Sequence, residues 1–371
     1  MIRRTLTIHG LAVAAAAIAA GGLVLAALFV WSGIYNVSAS RQHLDVTTWL
    51  LDIVRRQSVR TYSLGIETPP LDDPGLIRLG AAHYELGCAS CHGAPGRPAS
   101  ALAGAMLPEP PPLDEAVRQW QPKHLFWIVL NGQKYTGMPA WVEPRRPDEV
   151  WSVIAFLRHL ATLDAAGYRK IAGLGPAGID RPPGIEPANP GALAESCRRC
   201  HDESGAIAGG RAPPLSGQTP VYLARALSEY AAGSRPSGIM QLVARPLPPD
   251  AIERLARRFS SPEPMSPISA APPASARGRD IARLGIPSKG VPACLDCHAD
   301  HADARFPRLA GLPTSFIEQQ LALFRGGTRR GTAFAEIMRP IAQRLAPDEA
   351  AEVARYFASG ARDAVALEER R

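Results

Sequence analysis

Long stretches of this 371-residue chain contain no cysteine, and one long stretch contains no charged residue. All six cysteines lie inside three copies of the pentapeptide Cys-x-x-Cys-His, so no thiol is left over for a separate disulfide framework. No Asp, Glu, Lys or Arg occurs from Thr5 to Ser40. Aromatic residues are few, at 6%, while Ala, Pro and Gly are abundant. This composition favours short helices joined by long loops.

The three pentapeptides carry the chemistry. Two thiols three positions apart can each form a thioether with one vinyl group of the same porphyrin, and the adjacent imidazole then reaches the iron, which makes this the attachment sequence of c-type haem. A lone Cys-x-x-Cys pair would fit zinc or redox chemistry equally well, but three copies that use every cysteine argue against both. The sequence predicts three covalently bound haem c groups, attached through Cys88, Cys91, Cys197, Cys200, Cys294 and Cys297, with His92, His201 and His298 on the iron.

The net charge of +7 raises the question of a nucleic-acid partner. Three haems would bring propionates worth roughly six negative charges, so the finished protein would be close to neutral and no nucleic-acid binding is expected. Thioether attachment takes place outside the cytoplasm, which predicts that the haem domains lie in the bacterial periplasm.

The uncharged N-terminal stretch contains a run from Leu11 to Trp31 that is long enough to span a bilayer. Arg3 and Arg4 precede it and would keep the N-terminus inside. A cleaved signal peptide is the competing interpretation. The length of the run favours a membrane anchor over residues 1–40, and therefore a single-pass protein of the inner membrane.

Residues 41–75 are predicted to be an amphipathic segment followed by a linker. Leu44, Trp49 and Ile53 recur at helical spacing beside Arg56 and Arg60. Such a helix would either pack on the first haem domain or lie on the membrane surface with its arginines toward anionic lipid. The sequence leaves both interpretations open.

Domain 1 is predicted over residues 76–165. Met138 lies in a Gly/Pro-rich loop between two predicted helices and is the candidate second axial ligand of the first haem, with Met106 as its rival. The closing helix is expected from Asp148 to about Leu163.

Domain 2 (191–262) and domain 3 (276–363) form an internal duplication. Each cysteine and histidine of the second pentapeptide is the same number of positions away from its counterpart in the third. Leu247-Pro-Pro-Asp250 likewise parallels Leu345-Ala-Pro-Asp348. Met240 and Met338 correspond after a short insertion and are the candidate axial ligands of the second and third haems. Met265, between the domains, is not expected to bind iron.

Residues 191–360 resemble the diheme cytochrome c4 type, and residues 76–163 resemble an ordinary class I cytochrome c domain. The loop Tyr-Thr-Gly-Met-Pro-Ala-Trp around Met138 resembles those of membrane-anchored cytochromes c in respiratory chains. The resemblance implies an all-α fold with three class I cytochrome c-like haem domains preceded by one transmembrane helix. It also implies His/Met-ligated iron and electron transfer without chemistry on a substrate.

The expected function is a relay that takes electrons from a quinol-oxidising complex or dehydrogenase and passes them to a terminal oxidase or a soluble cytochrome. The alternatives are the cytochrome subunit of a periplasmic alcohol or sugar-acid dehydrogenase, and a cytochrome c peroxidase-like enzyme with one open iron. Two linkers, 167–190 and 260–275, are expected to act as hinges. Four further histidines are expected to be structural or exposed rather than ligands: His83, His124, His159 and His301.

Overall fold

The structure is a computed structural model that describes residues 8–174, 190–201, 209–260, 275–300 and 302–360. All the regular elements of this part of the chain are helices, which confirms the all-α prediction. His301, Met265 and most of the two linkers lie outside the described residues.

Two helices precede the haem domains. They are α1 (Ile8–Ser32) and α2 (Asp45–Tyr62). The apolar part of α1, Gly10–Ser32, is the single described helix long and apolar enough to cross a membrane, a property that an anchor and a signal sequence share. The sequence prediction of an apolar N-terminal helix is therefore confirmed.

Helix α2 has two different faces. Val59 is buried, Tyr62 stacks on Trp127 with ring centroids 6.0 Å apart, and Arg55 lies over the Trp120 ring, so one face packs on domain 1. Apolar side chains on the opposite face are exposed: Val46, Trp49, Leu50, Ile53 and Val54. The helix thus combines both features that the sequence left as alternatives, a packed face and a free apolar face.

Domain 1 is built from seven helices and one 3-10 turn. They are α3 (Pro74–Gly87), α4 (Ala89–His92), α5 (Ala101–Gly104), α6 (Leu113–Ala116), the turn Val117–Gln119, α7 (Pro122–Asn131), α8 (Pro147–Leu160) and α9 (Ala165–Ile171). Its core also includes Tyr168 and Ala172, beyond the boundary predicted at residue 165. The closing helix ends at Leu160 rather than near Leu163.

Domains 2 and 3 repeat one helical plan. Domain 2 contains α10 (Pro190–Arg198), α11 (Pro220–Ala231), α12 (Gly238–Ala244) and α13 (Pro249–Phe259), and domain 3 contains α14 (Ala276–Leu284), α15 (Leu295–His298), α16 (Thr314–Arg325), α17 (Ala333–Arg344) and α18 (Pro347–Ala358). Met240 and Met338 lie inside α12 and α17, whereas Met138 lies in the loop before α8 as expected.

Local chemistry explains where these helices begin. Asp73 accepts hydrogen bonds from the backbone N–H groups of Gly75 and Leu76 at 2.7 and 3.2 Å, and Pro74 follows at the first helical position. Thr219, Ser237, Ser275 and Thr332 cap four later helices in the same way. Capped starts fix the register in which each helix presents its apolar face.

In domains 1 and 3 the first and last helices cross at a glycine. A Cβ atom on Gly80 would lie 1.8 Å from the Ser152 backbone oxygen, and one on Gly278 would lie 2.3 Å from the Glu352 backbone oxygen. No side chain fits in either gap, so α3 packs directly on α8 and α14 directly on α18. In these two domains the Cys-x-x-Cys-His segment follows the first of the two crossing helices.

Domains 1 and 2 are in direct contact. Arg146 and Glu149, both buried at the start of α8, bond to the backbone and side chains of residues 236–239 in domain 2. A hinge at 167–190 was expected to let the c4-like pair swing. The structure instead packs domain 2 against domain 1, because these polar groups have their partners across the interface.

Candidate haem sites

Each pentapeptide is wound into one helical turn. The backbone N–H of the histidine donates to the carbonyl of the first cysteine at 2.9 Å in His92, 3.0 Å in His201 and 3.0 Å in His298. In a helical turn, positions i, i+3 and i+4 lie on one face, so both sulfurs and the imidazole point to the same side. That is the arrangement that double thioether attachment with a proximal ligand requires.

The three imidazoles are held alike. Each Nδ1–H donates to a proline carbonyl, from His92 to Pro111 at 2.9 Å, from His201 to Pro213 at 2.8 Å and from His298 to Pro307 at 2.8 Å. Since a carbonyl can only accept, Nδ1 carries the proton and Nε2 keeps its lone pair for a metal. These bonds also fix the orientation of each ring.

Burial keeps the ligands in the required protonation state. It lowers the pKa of His92 and His298, although the bonds to Pro111 and Pro307 oppose the shift. A buried imidazole is therefore neutral around neutral pH and can bind iron.

Burial raises the pKa of the Cys197 thiol, and it raises the pKa to about 12 for Cys88 and Cys294 and to about 11 for Cys200. These four thiols are poor free nucleophiles. All six cysteines are free and partly buried, which fits covalent attachment of a buried group better than surface redox chemistry.

The second pentapeptide opens onto a large cavity of about 1180 Å³. Cys197, Cys200, His201 and Met240 all line it, so the structure brings together the four residues predicted for the second haem. Its volume suits a group of cofactor size. Leu223, Leu255 and Phe259 supply apolar wall.

A smaller cavity, of about 80 Å³, lies in domain 3. His298 and Met338 line it together with Phe306 and Pro307, and Cys294 and Met338 pack against the same apolar cluster. The predicted third site is therefore also assembled around its two axial candidates.

Two arginines at the boundary of domains 2 and 3 form no ion pair with a carboxylate among the described residues, although Glu229 lies near enough to act on both. Gln320 Oε1 accepts from Arg329 at 2.6 Å and from Arg235 at 3.5 Å, and the Nε of buried Arg235 has no hydrogen-bond partner among the described residues. Burial and the nearby Arg235 charge lower the pKa of Arg329 to about 10. Both arginines line the smaller cavity, and Arg235 lines the larger one as well. The carboxylates of a haem are the kind of charge that this cluster lacks, so the residues fit the group.

In domain 1, Met138 is partly buried in its loop, where its backbone N–H donates to the Thr136 hydroxyl at 3.1 Å. Met106 lies close by, since a Cβ atom on Gly137 would be 2.9 Å from the Met106 sulfur. The structure thus brings the two rival methionines to the same place, and Met138 stays the predicted ligand.

Two of the additional histidines are structural, as the sequence predicts. His83 is buried against the Trp141 ring, with centroids 4.7 Å apart, and burial lowers its pKa to about 4. His124 completes the capping of α7 through its bond with Gln121 N–H at 3.2 Å.

The sequence prediction missed the proline carbonyls and the arginine pair. A signal for the carbonyls does exist, because Pro-x-Leu follows every pentapeptide, as Pro111-Pro-Leu113, Pro213-Pro-Leu215 and Pro307-Arg-Leu309. The arginines stand at corresponding positions of the duplication, but nothing in the pattern shows that they meet across the domain boundary.

Comparison with known proteins agrees with this geometry. A family profile described as cytochrome c oxidase, cbb3-type, subunit III matches residues 75–157. The thiosulfate dehydrogenase electron acceptor of Thiomonas intermedia is 32% identical over 173 residues, which are 45% of this chain and 79% of that protein. Cytochrome c4 of Thiocapsa roseopersicina is 33% identical over 166 residues, 43% of this chain and 85% of that protein.

Among solved structures, cytochrome c4 of Acidithiobacillus ferrooxidans is 31% identical, with a TM-score of 0.40, and the match covers 44% of this chain and 97% of that one. The c4 relatives are electron carriers rather than enzymes. Identity at this level over most of the length of these relatives implies bound haem c and electron transfer. The chain belongs to the cytochrome c4 family of c-type cytochromes.

Proposed function

We propose that this chain is a membrane-anchored triheme cytochrome c that relays electrons within a bacterial respiratory chain. The observation that carries the proposal is the threefold repetition of one site: a pentapeptide turn whose histidine donates Nδ1–H to a proline carbonyl. Three similar sites on one chain suit the transfer of electrons from one haem to the next.

The ligand assignment forms part of the proposal. Cys88, Cys91, Cys197, Cys200, Cys294 and Cys297 would hold three haem c groups, with His92, His201 and His298 on one side of the iron and Met138, Met240 and Met338 on the other. Such a haem supplies one-electron exchange between ferric and ferrous iron. With a histidine and a methionine both supplied by the protein, substrates would be kept away from the metal, and the methionine thioether would favour the ferrous state.

The proposed electron donor is a quinol-oxidising complex or a dehydrogenase, and the proposed acceptor is a terminal oxidase or a soluble cytochrome. One relative is named as the electron acceptor of thiosulfate dehydrogenase, which supports a periplasmic dehydrogenase as donor. The second candidate function follows from the same relative, namely a cytochrome subunit bound permanently to its dehydrogenase.

The proposed location is the periplasmic face of the inner membrane. Helix α1 supports it by length and composition. The free apolar face of α2 adds a second argument, because it follows the span after only a short connection and carries Arg56 and Arg60 beside its exposed apolar side chains.

The test follows the haem spectra in membranes that contain this protein. Under oxygen the haems are expected to become oxidised rapidly, and cyanide acting on the oxidase is expected to stop that oxidation. Haems that stay reduced under oxygen until a peroxide or an organic acceptor is added would reject the relay and favour an enzyme. Reduction of the haems by a substrate only in preparations in which its dehydrogenase co-purifies with the chain would support the second candidate.

A further inference from the structure

The contact between domains 1 and 2 is concentrated on one short segment of domain 2. Arg146 Nη1 donates to the Pro236 carbonyl at 3.0 Å. The Glu149 carboxylate accepts from the Ser237 hydroxyl at 2.7 Å and from the Gly238 backbone N–H at 2.6 Å. The two domain-1 side chains are 5% and 8% exposed and pair with each other at 3.0 Å, so this contact is buried and ionic.

Backbone packing brings the same segment closer still. A Cβ atom on Gly238 would lie 2.1 Å from the Trp141 indole nitrogen, so only glycine allows this approach. Ile239 packs against the apolar core of domain 1. Nearby, Gln241 donates to the Glu143 carboxylate at 3.0 Å.

This segment carries the candidate ligand Met240. The hydroxyl of Ser237, which donates to Glu149, also accepts the Met240 backbone N–H at 3.0 Å. A short chain of hydrogen bonds therefore runs from Glu149 through Ser237 to the backbone of Met240. Domain 1 also supplies part of the wall of the large cavity, with Leu79 and Trp151 among the lining residues.

The corresponding positions in the other domains show that this role belongs to domain 1. Each closing helix begins Pro-Asp, followed by Glu149, Ala251 or Glu349. Glu349 serves its own domain, where it accepts from Ala346 N–H at 2.8 Å and pairs with Lys289 at 2.7 Å. Glu149 has the same place in the helix but bonds across the interface.

We propose that Glu149 of domain 1 is a positioning residue for the Met240 ligand of domain 2, so that the ligation of the second haem depends on the docked first domain. The inference rests on the proposed assignment of Met240 to the second iron. It makes domain 1 and the c4-like pair one electron-transfer unit rather than two modules on a flexible tether.

The test compares purified full-length protein with Glu149→Ala. In the reduced protein, each iron-bound methionine methyl group gives its own strongly upfield proton NMR signal, and Met240→Ala identifies the signal of Met240. Glu149→Ala is expected to weaken or abolish that signal alone and to let one of the three haems bind carbon monoxide. Glu149→Gln is expected to restore the signal in part, because the amide oxygen can still accept from Gly238 N–H while the amide nitrogen replaces the oxygen that accepts from Ser237.

Glu349→Gln is the matched control, since its effects should be confined to the Met338 signal of its own domain. If Glu149→Ala yields no folded protein, Ser237→Ala interrupts the same chain at its middle member and is expected to shift the same signal. An unchanged Met240 signal in every folded variant, or a change only in the Met138 signal, would overturn the proposal. If Met240→Ala removes no signal, the ligand assignment itself fails and the positioning role fails with it. The relay test in membranes is unaffected by these results, because it measures oxidation of the unaltered chain.

Discussion

At the scale of single residues, the three proximal histidines share one device, a bond from Nδ1–H to a proline carbonyl. The device fixes the tautomer and orientation of the ring, and such bonds raise the basicity of the nitrogen that faces the metal. The methionines differ more, because Met138 lies in a loop while Met240 and Met338 lie in helices.

The choice between the two methionines of domain 1 can be tested directly. Met138→Ala is expected to remove one haem's share of the weak absorbance from methionine bound to ferric iron. It is also expected to lower the potential of that haem, because the soft ligand that favours ferrous iron is lost. Met106→Ala is the control, since its sulfur lies beside Gly137 in the same region. Loss of the band in Met106→Ala but not in Met138→Ala would reverse the assignment.

His83 is expected to make the protein less stable in mild acid. Burial lowers its pKa from 6.5 to about 4. Between these pH values the unfolded chain binds a proton at His83 and the folded protein does not, so acid favours the unfolded state. Its contribution is complete above pH 6.5 and decreases by roughly 1.4 kcal/mol per unit as the pH falls toward 4. Chemical unfolding of wild type and His83→Leu at several pH values measures this difference. The exposed His43, replaced by Gln, serves as the control, and equal slopes in wild type and His83→Leu would contradict the expectation.

Much of this residue-level description can be predicted from the sequence. The pentapeptides predict the roles of six cysteines and three histidines because Cys-x-x-Cys-His is the attachment sequence of c-type haem. Glu149 could not be identified, because the same Pro-Asp-Glu sequence at Glu349 bonds inside its own domain. Its partner Gly238 lies 89 positions away along the chain, and only the folded interface brings the two together.

At the scale of elements, the helix crossings at Gly80 and Gly278 leave no room for a side chain. Periodicity predicts that α3 and α8 are amphipathic, but the register of their contact depends on Gly80 and the backbone of Ser152. The sequence alone does not indicate which of the 33 glycines has that role.

Gly80→Ala is expected to destabilise domain 1. The added methyl group would collide with the Ser152 backbone oxygen, and overpacking of this kind costs about 1–3 kcal/mol, more than the gain of about 1 kcal/mol from helix propensity. Gly104→Ala is the control, because its nearest neighbour would be 4.0 Å away. The midpoint of guanidinium unfolding, followed through the haem absorbance, distinguishes the two variants. Equal midpoints would show that the crossing can widen without cost.

At the scale of the whole molecule, the two N-terminal helices are the elements on which the proposed membrane location depends. The span of α1 can be predicted from composition alone, whereas the sequence left the orientation of α2 open. In the structure, α2 has a face for each interpretation. Val59 and Tyr62 pack on domain 1, and Trp49 and Ile53 point away from it.

A form truncated before Arg41 is expected to stay redox-active but to oxidise more slowly at low concentration, because tethering acts through effective concentration. It should keep some affinity for anionic vesicles through α2. Replacing Trp49 and Ile53 by Ser in the truncated form should remove that affinity. Co-sedimentation with vesicles and stopped-flow oxidation measure the two effects. Equal rates for full-length and truncated protein at every concentration would show that the tether has no kinetic role.

The wall that domain 1 contributes to the large cavity has a consequence for the proposed electron transfer. Leu79 and Trp151 line the cavity of the second site, and so do Arg146 and Glu149. Under the proposed assignment, domain 1 would cover part of the second haem and shield that part from other proteins. The second haem would then exchange electrons mainly with the other two, and transfer to outside proteins would fall to the first and third haems.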